Sequence, residues 1–332
     1  MRFSIGNKKV FMQSLNEYYN SNNSSDIMNI SIDSRHISKK DIFVAIKGNK
    51  TNGHLYIDNA ISDGASIIMC EEKNCTDSRC LCSDSNYIAL QEIAASYRKK
   101  INIPIIGITG SNGKTTTKEL LRHILSEKIK VISNEGNYNS TLSVPLSLFS
   151  LNDNYNISII EMGASKPGEI ETICNFSKPN MGLITNISNS HISSYKNIEE
   201  ISDTKSKLFD LLPSDGYAFK NIDDPFISKM KTKAKIVSYG FNKNADFAGN
   251  YDGEKLYIDG LEIKIPYNNK EFAINSIACY TIAKSLDLGP KFICDKIETF
   301  AAPIGRKQII KHNKITIINH ITAYNIHFIQ LN

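Results

Sequence analysis

The chain has 332 residues and a mass of 37.1 kDa, enough for two domains and short for three. Hydrophobic residues make up 41% and charged residues 22%, which allows a packed core and excludes wholesale disorder. The formal charge of +5, from 39 basic and 34 acidic residues, is spread along the chain; it is too slight and diffuse for nucleic-acid binding, though compatible with anionic substrates.

No apolar run approaches the length needed to cross a bilayer. The opening Met1-Arg-Phe-Ser-Ile-Gly-Asn-Lys-Lys9 has no apolar core behind its charges, so no secretory signal is expected. The expectation is a soluble, cytoplasmic protein without membrane insertion. In chain order, residues 29–72 read as short strands alternating with a helix. The run 42–46 (IFVAI) suits a buried strand, 60–65 a helix ending at Gly64, and 66–69 the next strand. Residues 74–85 are polar and cysteine-rich and read as a loop. Four of the seven cysteines crowd here, at Cys70, Cys75, Cys80 and Cys82. They lack the paired C-x-x-C spacing of a zinc site, so reduced thiols in a surface loop are expected, with no metal. A helix over 90–100 closes a first domain, 1–100.

Beyond it a βα rhythm sets in. Strands are expected at 103–108, 157–162, 181–187 and 217–221, with helices at 115–128 and 198–212. The first of these helices carries Leu120, Leu121, Ile124 and Leu125 on one face. Such alternation implies a mostly parallel sheet covered by helices. Residues 255–265 alternate around Asp259-Gly260, a hairpin signal. A helix is expected to open at Asn275 and run to 286.

Between the strand 103–108 and the helix 115–128 lies Gly107-Ile-Thr-Gly-Ser-Asn-Gly-Lys-Thr-Thr-Thr117. Strand, glycine-rich turn and helix are the context a phosphate loop requires. Gly110 and Gly113 let the backbone turn and aim its N–H groups at phosphate oxygens. Lys114 can neutralise the β- and γ-phosphates, Thr115 can offer its hydroxyl to Mg²⁺, and the helix presents its positive dipole end to the anion. The spacing departs from G-x-x-x-x-G-K-[ST] because Ile108 stands where the first glycine belongs.

Thr109-Gly-Ser-Asn-Gly-Lys-Thr-Thr-Thr117 resembles the ATP loop of the Mur ligases, the amide-forming enzymes of peptidoglycan precursor synthesis. Ordered matches run from Asp33-Ser-Arg35 to Gly305-Arg306. They include Asn52-Gly-His54, Gly136-Asn-Tyr-Asn139, Glu161-Met-Gly163 with Gly168-Glu-Ile170, Thr185-Asn-Ile187 with His191, Lys205-Ser-Lys-Leu-Phe209, and Asn275. The Gly-Asn-x-Asn and Glu-Met-Gly signatures are most similar to the branch that joins D-alanyl-D-alanine to UDP-N-acetylmuramoyl-tripeptide.

The resemblance implies an α/β fold. A small N-terminal UDP-substrate domain (1–100) precedes a central P-loop domain (101–312) with a mostly parallel sheet, and 313–332 is the start of a truncated C-terminal Rossmann-like domain. It implies ATP and Mg²⁺ as cofactors, with ATP held by Thr109, Gly110, Ser111, Asn112, Gly113, Lys114, Thr115, Thr116, Asn275 and Arg306. Metal ligation falls to Thr115, Glu161, His191 and Lys205, the last as a carbamate formed with CO₂. Catalytic roles fall to Lys114, Lys205, His191, Glu161 and Arg306, and substrate contacts to Ser34, Arg35, Asn137 and Asn139. Taken alone, Lys205 belongs to a charged helix face with Asp203 and Lys207, where solvation is the default; Asp33 alone suggests an Asx turn beside an exposed Arg35.

Three departures from the family pattern stand out. Asn139-Ser-Thr141 replaces the usual Asn-Asn-Glu, and Glu271 stands where family members carry a histidine. After Arg306 the family's Asp-Asp-x-Tyr-Asn segment is matched only at its end, by Tyr324-Asn325. The expected reaction is ATP-dependent amide formation through an acyl phosphate, with a separate chain as one source of the missing domain. The alternatives are a non-catalytic ATP- or UDP-sugar-binding remnant, or another Mur ligase of the type that adds the third stem-peptide residue.

Overall fold

The computed structural model describes residues 1–48, 51–71, 75–189 and 194–302, and the backbone of short strands between 308 and 326. The first elements are β1 (Arg2–Ser4), α1 (Lys8–Tyr19), β2 (Asn29–Ser31), β3 (Ile42–Val44), α2 (Ile57–Ser62), β4 (Ile67–Cys70), β5 (Cys80–Cys82) and α3 (Asn86–Lys100). The phosphate-loop region follows as β6 (Ile105–Thr109), α4 (Lys114–Leu125), β7 (Val131–Ser133), α5 (Ser143–Leu148), β8 (Ile157–Glu161) and α6 (Glu169–Ser177). Then come β9 (Met181–Ile184), α7 (Ile198–Asp210), β10 (Tyr217–Asn221), β11 (Lys235–Gly240), β12 (Phe247–Tyr251), β13 (Leu256–Ile258), β14 (Leu261–Ile263), α8 (Lys270–Ser285) and α9 (Pro290–Glu298). The chain divides into two compact units, residues 1–105 with 132–179, and 106–131 with 180–332.

In the first unit the strands lie in the order β1-β2-β3-β4-β5, with β2 through β5 parallel and β1 antiparallel. β3 and β4 consist of Ile42, Phe43, Val44 and Ile67, Ile68, Met69, Cys70, all buried. A run apolar on both faces is what a strand covered on both sides demands. Asp41 is buried beside them and keeps its charge satisfied: Arg2 Nε (2.8 Å), Asn29 Nδ2 (2.9 Å) and the Ser38 amide (3.0 Å) all donate to it. α3 packs against α1, α5 and α6. Phe11, Tyr97 and Phe149 meet edge to face at the centre of this helical layer. Arg98 is buried there because its guanidinium donates to the Ser177 carbonyl at the end of α6 (2.9 Å).

The second unit carries the order β14-β13-β12-β11-β10-β9-β6, parallel from β6 to β12 and antiparallel through β13 and β14. The expected hairpin is the β13–β14 turn, where Asp259 (φ 50°) and Gly260 (φ 76°) take the left-handed pair that matches strand twist. α4 buries Leu120, Leu121, Ile124 and Leu125, the face that the apolar spacing predicts. Near the end, β15 (Gln308–His312) pairs antiparallel with β16 (Ile315–Asn319).

Two expectations fail locally. Asn275 does not open its helix: α8 begins at Lys270, and Asn269 is the cap, its side chain accepting from the Phe272 amide (2.9 Å). Residues 74–85 are not simply a loop of reduced thiols, because Cys80–Cys82 forms the edge strand β5 and Cys75 is disulfide-bonded to Cys80. The strand is short and set in polar sequence, so its pairing with β4, not its own propensity, makes it.

Candidate active site

In the second unit the phosphate loop leaves β6 at Thr109 and enters α4 through Gly113. Gly110 has φ 144°, and a Cβ there would lie 1.9 Å from Thr185 Oγ1; Gly113 has φ 80°, and a Cβ would meet Asn275 Nδ2 at 2.8 Å. Both positions therefore need glycine for conformation and for space. The loop is laced to the segment after β9. The Thr185 amide donates to the Thr109 carbonyl (2.9 Å) and Thr185 Oγ1 to the Asn112 carbonyl (2.6 Å). The Ser111 amide donates to the Asn186 carbonyl (2.9 Å), and the Ser188 amide donates to Ser111 Oγ (2.9 Å). The Asn112 amide donates to Asn186 Oδ1 (3.1 Å) and its side chain to Ser188 Oγ (3.0 Å). A loop held on both sides is preorganised for an anion before the anion arrives.

Lys114 and Thr115 stand in the first turn of α4, with Thr116 following, all partly exposed. The Lys114 ammonium folds over the loop and donates to the Gly110 (2.7 Å) and Ser111 (3.0 Å) carbonyls. Asn275 lies buried in the second turn of α8, against Gly113, while Glu271 is exposed in the first turn.

Lys205 on α7 is 3% exposed. Burial, followed by the positive charge of Lys114, lowers its amine from 10.5 to about 7. The solvated reading of this residue is thereby corrected. Its burial has a signal in the sequence: Lys205 lies four residues after Ile201 and three before Leu208, inside the stripe that α7 turns to the core.

In the first unit Glu161 ends β8, where the carboxyl ends of parallel strands collect ligands, and is 1% exposed. Asn139 Nδ2 donates to Glu161 Oε1 (2.7 Å). Asn134 clamps the same residue's backbone, accepting from its amide (2.9 Å) and donating to its carbonyl (3.0 Å). Gly163 leaves room for Asn139, whose Oδ1 would lie 2.6 Å from a Cβ there. Asn139, expected to face a substrate peptide, has its amide engaged with Glu161; Asn137 is exposed. Sequence reasoning passes over Asn134, Asn186 and Ser188, since buried or loop asparagines and serines carry no spacing signal.

Ser34 and Arg35 lie in a short turn capped by Asp33, which accepts from the Arg35 amide (3.2 Å). The Arg35 guanidinium grips the same carboxylate through Nε (2.9 Å) and Nη2 (2.7 Å), holding it well below the usual carboxylate range. Ser34 is partly exposed and Arg35 exposed. His191 and Arg306 lie outside the described residues.

The Mur ligase middle domain matches residues 108–283, and the Mur ligase family catalytic domain matches 26–113. A UDP-N-acetylmuramoyl-tripeptide–D-alanyl-D-alanine ligase of Synechocystis is 33% identical, covering 79% of this chain and 59% of its own length. The Buchnera aphidicola (Baizongia pistaciae) relative of the same description is 34% identical, over 89% and 68%. The chain thus spans about three fifths to two thirds of the length of these relatives. Among solved structures, MurF ligase from Thermotoga maritima in complex with ADP superposes with a TM-score of 0.77 at 25% identity, covering 87% of this chain and 70% of that one. MurF from Acinetobacter baumannii shares the fold, with a TM-score of 0.83 at 23% identity over 96% and 73%. With matching middle and N-terminal segments in order and the phosphate loop built as described, the chain belongs to the Mur ligase family.

Proposed function

We propose that the protein is an ATP-dependent amide ligase that joins D-alanyl-D-alanine to UDP-N-acetylmuramoyl-tripeptide, releasing ADP and phosphate. The observation that carries this reading is the pairing, in one unit, of a preorganised phosphate loop with a buried lysine whose amine is lowered to about 7. An ordinary lysine is protonated at neutral pH and cannot take up CO₂; this one is substantially neutral, so a carbamate can form at its Nζ with release of a proton. The activity named for the Synechocystis and Buchnera relatives supports these substrates, and the ADP complex of the Thermotoga neighbour supports the nucleotide.

In the proposed reaction the tripeptide's terminal carboxylate attacks the γ-phosphorus, forming an O–P bond as the bond to the β-bridging oxygen breaks and ADP leaves. The dipeptide amine then attacks the acyl carbon, phosphate departs, and the amine proton is lost. Lys114 would leave its loop carbonyls for the phosphates, and the N–H groups of 110–115 would hold the transferring group in line. Mg²⁺, when bound, would neutralise charge developing on the phosphates. A hard cation takes oxygen donors, and the Thr115 hydroxyl, the buried Glu161 carboxylate and a Lys205 carbamate are of that kind. His191 and Arg306 keep the metal and phosphate roles that the resemblance implies. Ser34 and Arg35 are proposed for the UDP diphosphate, and Asn137 and Asn139 for the acceptor peptide. The domain assignments 1–100, 101–312 and 313–332, and a cytoplasmic location, belong to this proposal; no described helix is long and apolar enough to cross a membrane.

A diaminopimelate-adding ligase of Parabacteroides distasonis is also similar, 30% identical over 86% of this chain and 64% of its own length. The two readings separate when ATP, Mg²⁺ and UDP-muramoyl substrates are offered with D-alanyl-D-alanine or with diaminopimelate, and the nucleotide product is weighed by mass spectrometry. Addition of the dipeptide supports the proposal; addition of diaminopimelate alone overturns it.

A further inference from the structure

We propose that Cys70, Cys75, Cys80 and Cys82 form a tetrathiolate site for one soft divalent cation of the zinc class at the edge of the first unit's sheet. The four side chains converge through strand pairing and not through sequence spacing. Cys80 and Cys82 are two apart on β5, so they project to one face. The parallel register sets Ile68 beside Cys80 and Cys70 beside Cys82, which brings the Cys70 sulfur to 2.7 Å from that of Cys82. Cys75 closes back onto Cys80, and the sulfurs of Cys70, Cys75 and Cys80 all lie within 4.8 Å of one another. Four thiolates about 2.3 Å from a tetrahedral zinc stand about 3.8 Å apart; Cys82 joins the group through its contact with Cys70, and the Cys70–Cys82 pair at 2.7 Å and the bonded Cys75–Cys80 pair would each open to that spacing on binding.

The surroundings suit such a site. Cys70 belongs to an apolar cluster with Phe43, Ile57, Ala65 and Ile68, and Cys75 and Cys80 pack against it. That floor keeps water off one side of the sulfurs, while exposed Cys82 leaves an entry path from the other. Four soft donors with no carboxylate or imidazole among them select zinc over Mg²⁺ or Ca²⁺.

The Cys75–Cys80 disulfide is the oxidised form of the same site. A dithiol reductant passes two electrons and two protons to that pair and closes its own disulfide; the cation then displaces the four thiol protons to solvent. Once bound, it ties β4 to β5.

The test uses the full chain, reduced with dithiothreitol, desalted without oxygen, and loaded with Zn²⁺ or Co²⁺. One equivalent of zinc that survives a weak chelator is expected, with a cobalt form showing thiolate charge-transfer bands and the visible spectrum of a tetrahedral site. Cys75→Ser and Cys82→Ser are each expected to weaken binding by roughly 10-fold or more, whereas Cys174→Ser, on α6, leaves it unchanged. The proposal is overturned if the reduced wild type retains no cation, or if it binds cobalt without thiolate bands. It is equally overturned if both cysteine variants bind as the wild type does, or if a Cys70–Cys82 disulfide persists in dithiothreitol and excludes the metal. The cobalt spectrum of the wild type decides the matter even should a variant fail to fold.

Discussion

Replacing Lys205 with methionine should make the protein more stable while abolishing the proposed ligation. The native fold lowers this amine from 10.5 to about 7, chiefly by burial. At about 1.4 kcal/mol per pH unit, that difference is on the order of 5 kcal/mol of penalty for holding the ammonium in the fold. Below pH 7 both folded and unfolded chains carry the proton and the whole penalty stands. Between about 7 and 10.5 the unfolded chain binds a proton that the folded chain has released, so wild-type stability rises with pH across that window. Methionine keeps most of the volume and carries no charge. Relaxation around the amine trims the gain, so the Lys205→Met variant is expected to exceed wild type by about 2–5 kcal/mol at pH 6.5, with the gap closing towards pH 10.5. Urea unfolding of both proteins over this range, in CO₂-free buffer, measures it. A variant no more stable than wild type at pH 6.5, or a gap that does not shrink with pH, would refute the reasoning.

Lys114→Ala should reduce ATP turnover to background, because no other loop side chain brings positive charge to the γ-phosphate; turnover at the wild-type rate sinks the loop assignment. Gly110→Ala places a methyl group 1.9 Å from Thr185 Oγ1 at φ 144°, so the loop must shift, and titration calorimetry should show ATP affinity largely lost. Unchanged affinity would mean that the lacing between 109–112 and 185–188 does not shape the site. Asn139→Ala removes the amide 2.7 Å from Glu161 Oε1 and leaves a buried carboxylate under-bonded, at a cost of about 1–3 kcal/mol in thermal or urea unfolding. A loss within error would show that the contact is incidental.

The elements that position the phosphate are legible because local chemistry dictates them. Gly113 followed by Lys114 and an apolar stripe at 120, 121, 124 and 125 can hardly be anything other than a turn entering a helix against a core. β3 and β4 declare themselves as uninterrupted apolar runs. What escapes depends on partners distant in sequence. Cys80–Cys82 is a strand only because β4 offers it an edge, and the meeting of Cys70 with Cys82 follows from that register. The start of α8 is easily misplaced because Asn269 and Asn275 are both plausible caps, and only the apolar Phe272 and Ala273 between them favour the earlier one. Lys205 reads as solvated because its neighbours Asp203 and Lys207 are charged, although the α-helical period from Ile201 to Leu208 already places it on the inner face. Asn134, whose hydrogen bonds fix Glu161 and the segment after β7 at Tyr138, leaves no trace in spacing at all.

Whether the chain is an ATP-dependent amide ligase is tested most directly by phosphate release. The purified chain is given ATP, Mg²⁺ and UDP-N-acetylmuramoyl-tripeptide, with and without D-alanyl-D-alanine. Steady phosphate release is expected, requiring both acceptor and dipeptide and disappearing in Lys114→Ala. ATP that binds but yields no phosphate with both substrates present would contradict ligation, and would leave nucleotide binding alone as the activity of this chain.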